Sequence, residues 1–248
     1  MGSIYFIADA HLDGSDTPRQ RERQQCLLAF LDHIETRASR LYILGDLFDF
    51  WFEWRHVIPR YHFPVIYRLR QLVEAGIEIH LLSGNHDFAL GSYLENEIGL
   101  RCHGDSITFE LAGKRFFAAH GDGVARSDRG YRLLKRLIRH RLSRALFRTI
   151  VPPDLGMALA RATSRSSRKL KRIDKVRWRE EYADFARARF RERFDFVLLA
   201  HIHDPFRLEE GDRVYINCGD WMDFYSYAVF DGQTLTLKRW PDQSQSGE

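Results

Sequence analysis

A chain of 248 residues with 44% apolar content and a net charge of +4 is long enough for one sizeable core plus a smaller appended unit. No apolar run approaches the roughly 18 residues that cross a bilayer, and no basic then apolar leader opens the chain, so an intracellular soluble protein is expected. Cys26, Cys102 and Cys218 are odd in number and far apart, which argues against a disulfide framework or a thiolate metal site.

In chain order, the apolar run Ile4 to Ala8 reads as a buried strand that ends in Asp9-Ala10-His11. Thr17-Pro18 supplies a cap and first turn, and Leu27, Phe30, Leu31 and Ile34 form a helical stripe leading to a second strand, Leu41 to Leu44. Gly45 lets the backbone turn sharply and present Asp46 at that strand's carboxyl end. The helix from Val65 to Ala75, stopped by Gly76, delivers the strand Ile77 to Leu82, which runs into Gly84-Asn85-His86-Asp87. Ile107 to Leu111 and Arg115 to Ala119 read as a hairpin turning at Ala112-Gly113 and ending in His120-Gly121-Asp122. Helical spacing then links Tyr131, Leu134, Leu137, Ile138, Leu142, Ala145, Leu146 and Ile150. Pro152-Pro153 ends that run, Asp154 and Asp174 are candidate caps for two further helices, and the last carries Tyr182, Phe185, Ala186 and Phe190 on one face. Phe196 to Leu199 returns as a strand ending in Ala200-His201-Ile202-His203, followed by strands at Arg213 to Cys218, Tyr225 to Phe230 and Thr234 to Arg239. Open α/β sheets bind ligands at the carboxyl ends of their strands, and strand ends lie side by side, so these polar segments converge.

Asp-x-His, Gly-Asp, Gly-Asn-His-Asp, His-Gly-Asp and x-His-x-His, in that order from Asp9 to His203, resemble the calcineurin-like metallophosphoesterase superfamily. The resemblance implies an α/β fold, a two-sheet αββα sandwich, with Asp9, His11, Asp46 and His203 on one metal ion and Asp46, Asn85, His120 and His201 on a second. Imidazole, carboxylate and amide donors without thiolate suit Mn, Fe, Co or Zn. Two such ions activate water and clamp a phosphoryl oxygen during in-line displacement. His86, directly after Asn85, is the candidate general acid or transition-state donor, with Asp87 placed to fix its tautomer. Asp49 and Asp122 are candidates to support the ligands, and Asn217 to Trp221 reads as a turn packing Trp221 near the cleft. His33, His56, His62, His80, His103 and His140 lie outside the motifs and read as structural or surface residues.

Charge divides the chain. From Arg126 to Arg193 there are 22 Lys and Arg against 7 Asp and Glu, a net of +15, whereas the remainder carries 16 against 27, a net of −11. The expected organisation is a dimetal core over 1–125 and 194–240, a helical basic cap inserted at 126–193, and a disordered tail at 241–248. Within the superfamily, Gly-Asp-Leu-Phe-Asp-Phe-Trp at 45–51, Gly-Asn-His-Asp-Phe at 84–88, the basic insert after Asp122 and Gly219-Asp220-Trp221 resemble UDP-2,3-diacylglucosamine hydrolases of lipid A synthesis. That resemblance implies cleavage of a UDP-linked diacyl sugar to UMP and a lipid monophosphate, with Mn²⁺ as the usual metal, while the apolar stripe of Tyr131 to Ile150, alternating with basic residues such as Arg136 and Arg139, suits a cytoplasmic enzyme resting on the inner membrane's anionic surface. It also places Asp128, Ser164, Arg168 and Lys171 near the substrate. Two positions depart from the family's pattern: His86 stands where Arg is common, and Ala200 where Gly is usual. Histidine at 86 widens the plausible substrates to less activated diesters. A phosphodiesterase acting on another phospholipid, a nucleotide or nucleic acid is the alternative. The insert's sparse aromatics speak against nucleic acid, and the complete ligand set speaks against a non-catalytic scaffold.

Overall fold

The computed structural model describes residues 2–125, 135, 137–159 and 175–241. Its first sheet orders β11 (Leu235–Arg239), β10 (Ser226–Phe230), β1 (Ser3–Ile7), β2 (Ala38–Ile43), β3 (Glu78–Leu82) and β4 (Arg101–His103), with β1 to β4 parallel. The second orders β5 (Ser106–Leu111), β6 (Lys114–Ala119), β7 (Phe196–Leu199), β9 (Arg213–Asn217) and β8 (Phe206–Glu210), with β6, β7 and β9 parallel. β4 and β8 escape sequence inspection because one has three residues and the other reads Phe-Arg-Leu-Glu-Glu, with little continuous apolar signal.

Alternation along β1 shows how the layers form. Ile4, Phe6 and Ala8 point to the second sheet and pack with Phe116, Leu198 and Ile216, while Tyr5 and Ile7 point outward. The outward side is covered by α1 (Pro18–Ile34) and α2 (Phe63–Glu74), whose stripes Leu27, Phe30, Leu31, Ile34 and Val65, Ile66, Leu69, Leu72 are fully buried. Each large apolar side chain so enclosed contributes about 1.5–3 kcal/mol of transfer free energy. A short helix α3 (Ser92–Asn96) follows β3, and α4 (Arg141–Ile150) belongs to the basic segment. Residues 153–159 are also helical, and because the helix starts at Pro153, Asp154 lies within its first turn and is not the cap expected of it.

The helix α5 (Lys175–Arg191) changes the expected partition. Although its sequence lies within the basic insert, Tyr182, Ala186 and Phe190 are buried against Phe117, Val197 and Tyr215 on the second sheet's outer face. It is therefore the helix layer of that sheet, and helix, sheet, sheet, helix is the resulting order. Asp128, Ser164, Arg168, Lys171 and the tail beyond residue 241 lie outside the described residues.

Part of the insert's positive charge is paired with the body. Lys135 Nζ lies 3.0 Å from Asp122 Oδ1 and 2.8 Å from Asp105 Oδ2, and Arg139 reaches Asp122 Oδ2 at 3.1 Å, Asp105, and the Gly84 carbonyl at 2.6 Å. Lysine and arginine four residues apart share one helix face, so both meet the same acidic edge.

Candidate metal centre

Every parallel strand other than β4 delivers a polar residue to one edge. Asp9 follows β1, Asp46 follows β2, Asn85 follows β3, His120 follows β6, His201 and His203 follow β7, and Asp220 follows β9. The chain turns abruptly there: Asp9, His11, Asp46, His201 and His203 have φ of 53°, 44°, 51°, 72° and 52°. Such left-handed conformations cost non-glycine residues about 1–3 kcal/mol and persist where surrounding structure imposes them. Gly84 is required for a different reason, since a side-chain carbon there would collide with the Asp46 carboxylate. Ala200 is absent from the positive-φ residues, so alanine replaces glycine there without strain.

The side chains form two abutting groups. In one, His11 Nε2 is 3.5 Å from Asp9 Oδ1 and 3.6 Å from Asp46 Oδ2, with His203 Nε2 3.7 Å from Asp9 Oδ1. In the other, His120 Nε2 is 3.4 Å from Asp46 Oδ2, 3.0 Å from Asn85 Oδ1 and 3.2 Å from His201 Nδ1. One oxygen of Asp46 thus belongs to both. Donors about 2.0–2.2 Å from a cation stand roughly 3.0–3.6 Å apart, which is this spacing. Asp9 Oδ1 and His11 Nε2 are buried without a hydrogen-bond partner, so a cation would satisfy atoms the protein itself leaves unsatisfied.

Charge tells the same story. Burial works against a charged His11, yet the carboxylates of Asp49, Asp9 and Asp46 pull its pKa up to about 10. His120, likewise opposed by burial, is raised to about 10 by Asp46, Asp9 and Asp122. Asp46 resists burial and stays well below the usual carboxylate range because His120, His86 and His11 surround it. A site this acidic calls for positive charge, which either protons or divalent cations supply.

Outer contacts set the rings. His120 Nδ1 donates to the Leu44 carbonyl at 2.9 Å, which turns Nε2 inward, and His203 Nδ1 is 3.2 Å from Asp220 Oδ2. His11 Nδ1 lies 3.3 Å from Asp49 Oδ1, and His86 Nδ1 donates to the Asp49 carbonyl at 3.1 Å. Asp87 does not meet the His86 ring. Its carboxylate accepts from the backbone of Asp46 at 3.0 Å, Gly84 at 2.9 Å and Phe48 at 3.3 Å, tying two ligand loops together. Burial and the Asp46 charge raise its pKa to about 6 against those hydrogen bonds. Sequence inspection gave Asp220 no role beyond its turn. There it accepts from Met222, Asp223 and Phe224 with the oxygen that does not face His203. Trp221 is fully buried against Phe30, and its backbone N–H donates to the Asp9 carbonyl at 3.1 Å.

Calcineurin-like phosphoesterase is the family whose model matches this chain, over residues 2–205. The chain belongs to that family. Among its relatives, a UDP-2,3-diacylglucosamine hydrolase of Porphyromonas gingivalis is 36% identical, over 96% of this chain and 98% of its own length. One of Actinobacillus succinogenes is 30% identical over 82% and 83%. A solved archaeal phosphodiesterase superposes with a TM-score of 0.46 at 13% identity, over 95% of this chain and 98% of its own. Membership and donor clusters together make the chain a metal-dependent phosphoester hydrolase that binds divalent cations.

Proposed function

We propose that this chain cleaves the pyrophosphate of UDP-2,3-diacylglucosamine, adding water across the P–O–P bridge to give UMP and 2,3-diacylglucosamine 1-phosphate in the lipid A pathway. Asp9, His11, Asp46 and His203 hold one manganese ion, and Asp46, Asn85, His120 and His201 the other. Bound there, the ions activate water and offset the charge of the pyrophosphate.

The observation that carries the lipid reading is a largely apolar cavity of about 230 Å³, lined by Phe50, Phe52, Phe88, Ile138 and Phe147 together with Ser143 and Arg144. Phe50 directly follows Asp49, and Phe88 directly follows Asp87, so an acyl chain in this hollow brings its headgroup toward His86. The name of a relative matched over nearly the whole chain supports the same substrate. Nucleic acid is disfavoured, because Lys135 and Arg139 already engage Asp105 and Asp122.

His86 positions the bridging or departing oxygen. Because Nδ1–H is held by Asp49, Nε2 faces the cleft as an acceptor when the ring is neutral and as a donor when it is protonated. Burial lowers its pKa, with Asp46 opposing that effect.

Leu142, Leu146 and Ile150, four residues apart along α4, are exposed on one face. We read that face as resting on the anionic cytoplasmic surface of the inner membrane, where the diacyl substrate resides. The function is tested by incubating the manganese-loaded protein with UDP-2,3-diacylglucosamine and identifying both products by mass spectrometry. Asp46→Ala should abolish both, and intact substrate with the wild-type protein would sink the reading.

A further inference from the structure

The donors of the two ions are steadied from different parts of the chain. Around the first, His11 leans on Asp49 at 3.3 Å and His203 on Asp220 at 3.2 Å, both of them residues of the body. Asn85, His120 and His201, which complete the second site around the shared Asp46, are each backed by the segment inserted at 126–193. Arg139 Nη2 donates to the Gly84 carbonyl at 2.6 Å, in the peptide that leads into Asn85. His120 stands between Asp105, whose carbonyl accepts from its backbone N–H at 3.4 Å, and Asp122, two residues on. Lys135 and Arg139 grip both of those carboxylates. From α5, the fully buried Tyr182 donates its hydroxyl to the Gly121 carbonyl at 2.7 Å, next to His120.

His201 is met by the first turn of α5. The Trp178 ring lies 15° from the plane of the His201 imidazole, with centroids 6.1 Å apart, within the range of stacked aromatic pairs. That turn is itself anchored, because Arg179 donates to Asp204 at 2.8 Å and lies over the Phe206 ring.

Charge makes this support matter more at the second site than at the first. Asp9 and Asp46 give the first ion two carboxylates, whereas the second has only the shared Asp46, with an amide and two imidazoles. A site with fewer charged donors depends more on their being held in place. The Arg139 side chain is 16% exposed, and its planar fork joins the loop after β3, the turn before β5 and the loop after β6. Ile138, beside it, lines the aromatic hollow, so the turn that steadies Gly84 also walls that hollow.

We infer that the inserted segment is the scaffold of the second metal site, with Arg139 and Trp178 as positioning residues that hold Asn85 and His201, so that loss of either side chain loosens that ion and leaves the first in place. The inference rests on the two-ion reading of the centre.

Dialysis of the manganese-loaded full chain against rising chelator tests it, with manganese per chain and the EPR spectrum read at each step. In the wild type two ions should leave, and the spectrum should pass from that of a coupled pair to that of a single ion. Asn85→Ala and His203→Ala, each lacking a donor of one site, identify which release belongs to which ion. Arg139→Ala and Trp178→Leu should weaken the ion of Asn85, His120 and His201 about 10–100-fold and the other less than twofold. Trp178→Phe keeps a ring on His201 and should recover most of that loss. Arg187→Ala, which cuts an exposed pair with Glu210 on the same helix, should match the wild type. Equal weakening of both ions in Arg139→Ala and Trp178→Leu would assign these residues to holding the fold and overturn the inference. A wild type that holds one ion removes the two-ion reading and the inference with it, whereas two ions released alike from wild type and variants remove the inference alone.

Discussion

Asp49 meets two histidines at once, with its carboxylate 3.3 Å from His11 Nδ1 and its carbonyl oxygen 3.1 Å from His86 Nδ1. One residue thereby orients a metal donor and the ring beside it. Asp49→Ala should lower metal affinity and kcat about 10–100-fold, the usual effect of removing a group that orients a ligand. Metal content after dialysis and turnover check it, and a variant with full occupancy and full rate would remove Asp49 from the centre. Asp87→Ala acts differently: three backbone N–H groups lose their acceptor, so a loss of about 1–3 kcal/mol in stability should accompany the activity loss.

The His86 tautomer links leaving group to pH. Only the protonated ring can donate from Nε2, so donation fades as pH rises through its lowered pKa. His86→Ala should slow an alkyl phosphodiester at least tenfold more than a nitrophenyl diester or a pyrophosphate, because a basic departing oxygen needs the proton most. Rates across that series, below and above pH 6.5, measure the difference, and equal losses would assign His86 to positioning alone.

The seven side chains that meet at the candidate centre were legible in the sequence because they follow buried apolar runs, and parallel strands bring such ends together. Asp49 and Asp122 stood out beside them as candidate supports, but the contacts they make were not legible. Asp49 reaches His11 only because Leu12 and Phe48 pair in a short bridge and the Asp49 N–H donates to the Leu12 carbonyl at 2.9 Å, a contact between loops far apart in sequence. Adjacency suggested Asp87 for His86, but the tight turn at Gly84 folds Asp87 back onto backbone N–H groups. Counting charges marked the insert as basic, yet could not show that Lys135 and Arg139 pair with Asp122. The αββα layering was implied by the family resemblance, and the order of apolar runs agrees with it, whereas the place of α5 depended on which surface Tyr182 met.

The proposed membrane docking assigns the contact to the apolar face of α4 and not to Arg139, which holds the Gly84 carbonyl and Asp122. Leu142→Ser combined with Leu146→Ser should reduce sedimentation with anionic vesicles several-fold and slow hydrolysis of a vesicle-borne substrate, while a soluble diester is hydrolysed as before. Both side chains are largely exposed, so folding should be unaffected, which a thermal melt confirms. Equal sedimentation of variant and wild type would dismiss α4 as the docking face.

His80 lies buried on β3, one strand in from the sheet edge, stacked on Tyr42 with ring centroids 4.4 Å apart. Its Nε2 donates to Glu78 Oε1 at 2.9 Å, and its Nδ1 receives from His103 Nε2 at 2.8 Å. Glu78 is itself held by Arg40 at 3.2 Å and by Arg101. Burial lowers the His80 pKa, with Glu78 opposing and His103 and Arg101 reinforcing the shift, and burial and Arg101 lower that of His103. Below the ordinary histidine pKa of about 6.5 the unfolded chain therefore binds protons that the folded chain refuses. Stability is complete above that pH and falls as the solution is acidified toward the folded pKa values. His80→Phe keeps the stack on Tyr42 and removes one of the two refused protons. Its melting temperature should decline less steeply than that of the wild type between pH 7.5 and about 5.5. Comparing the two proteins isolates this pair from the histidines of the metal centre, which titrate in both. Parallel declines would show that His80 takes up its proton as readily folded as unfolded, and would leave the acid sensitivity to the metal ligands.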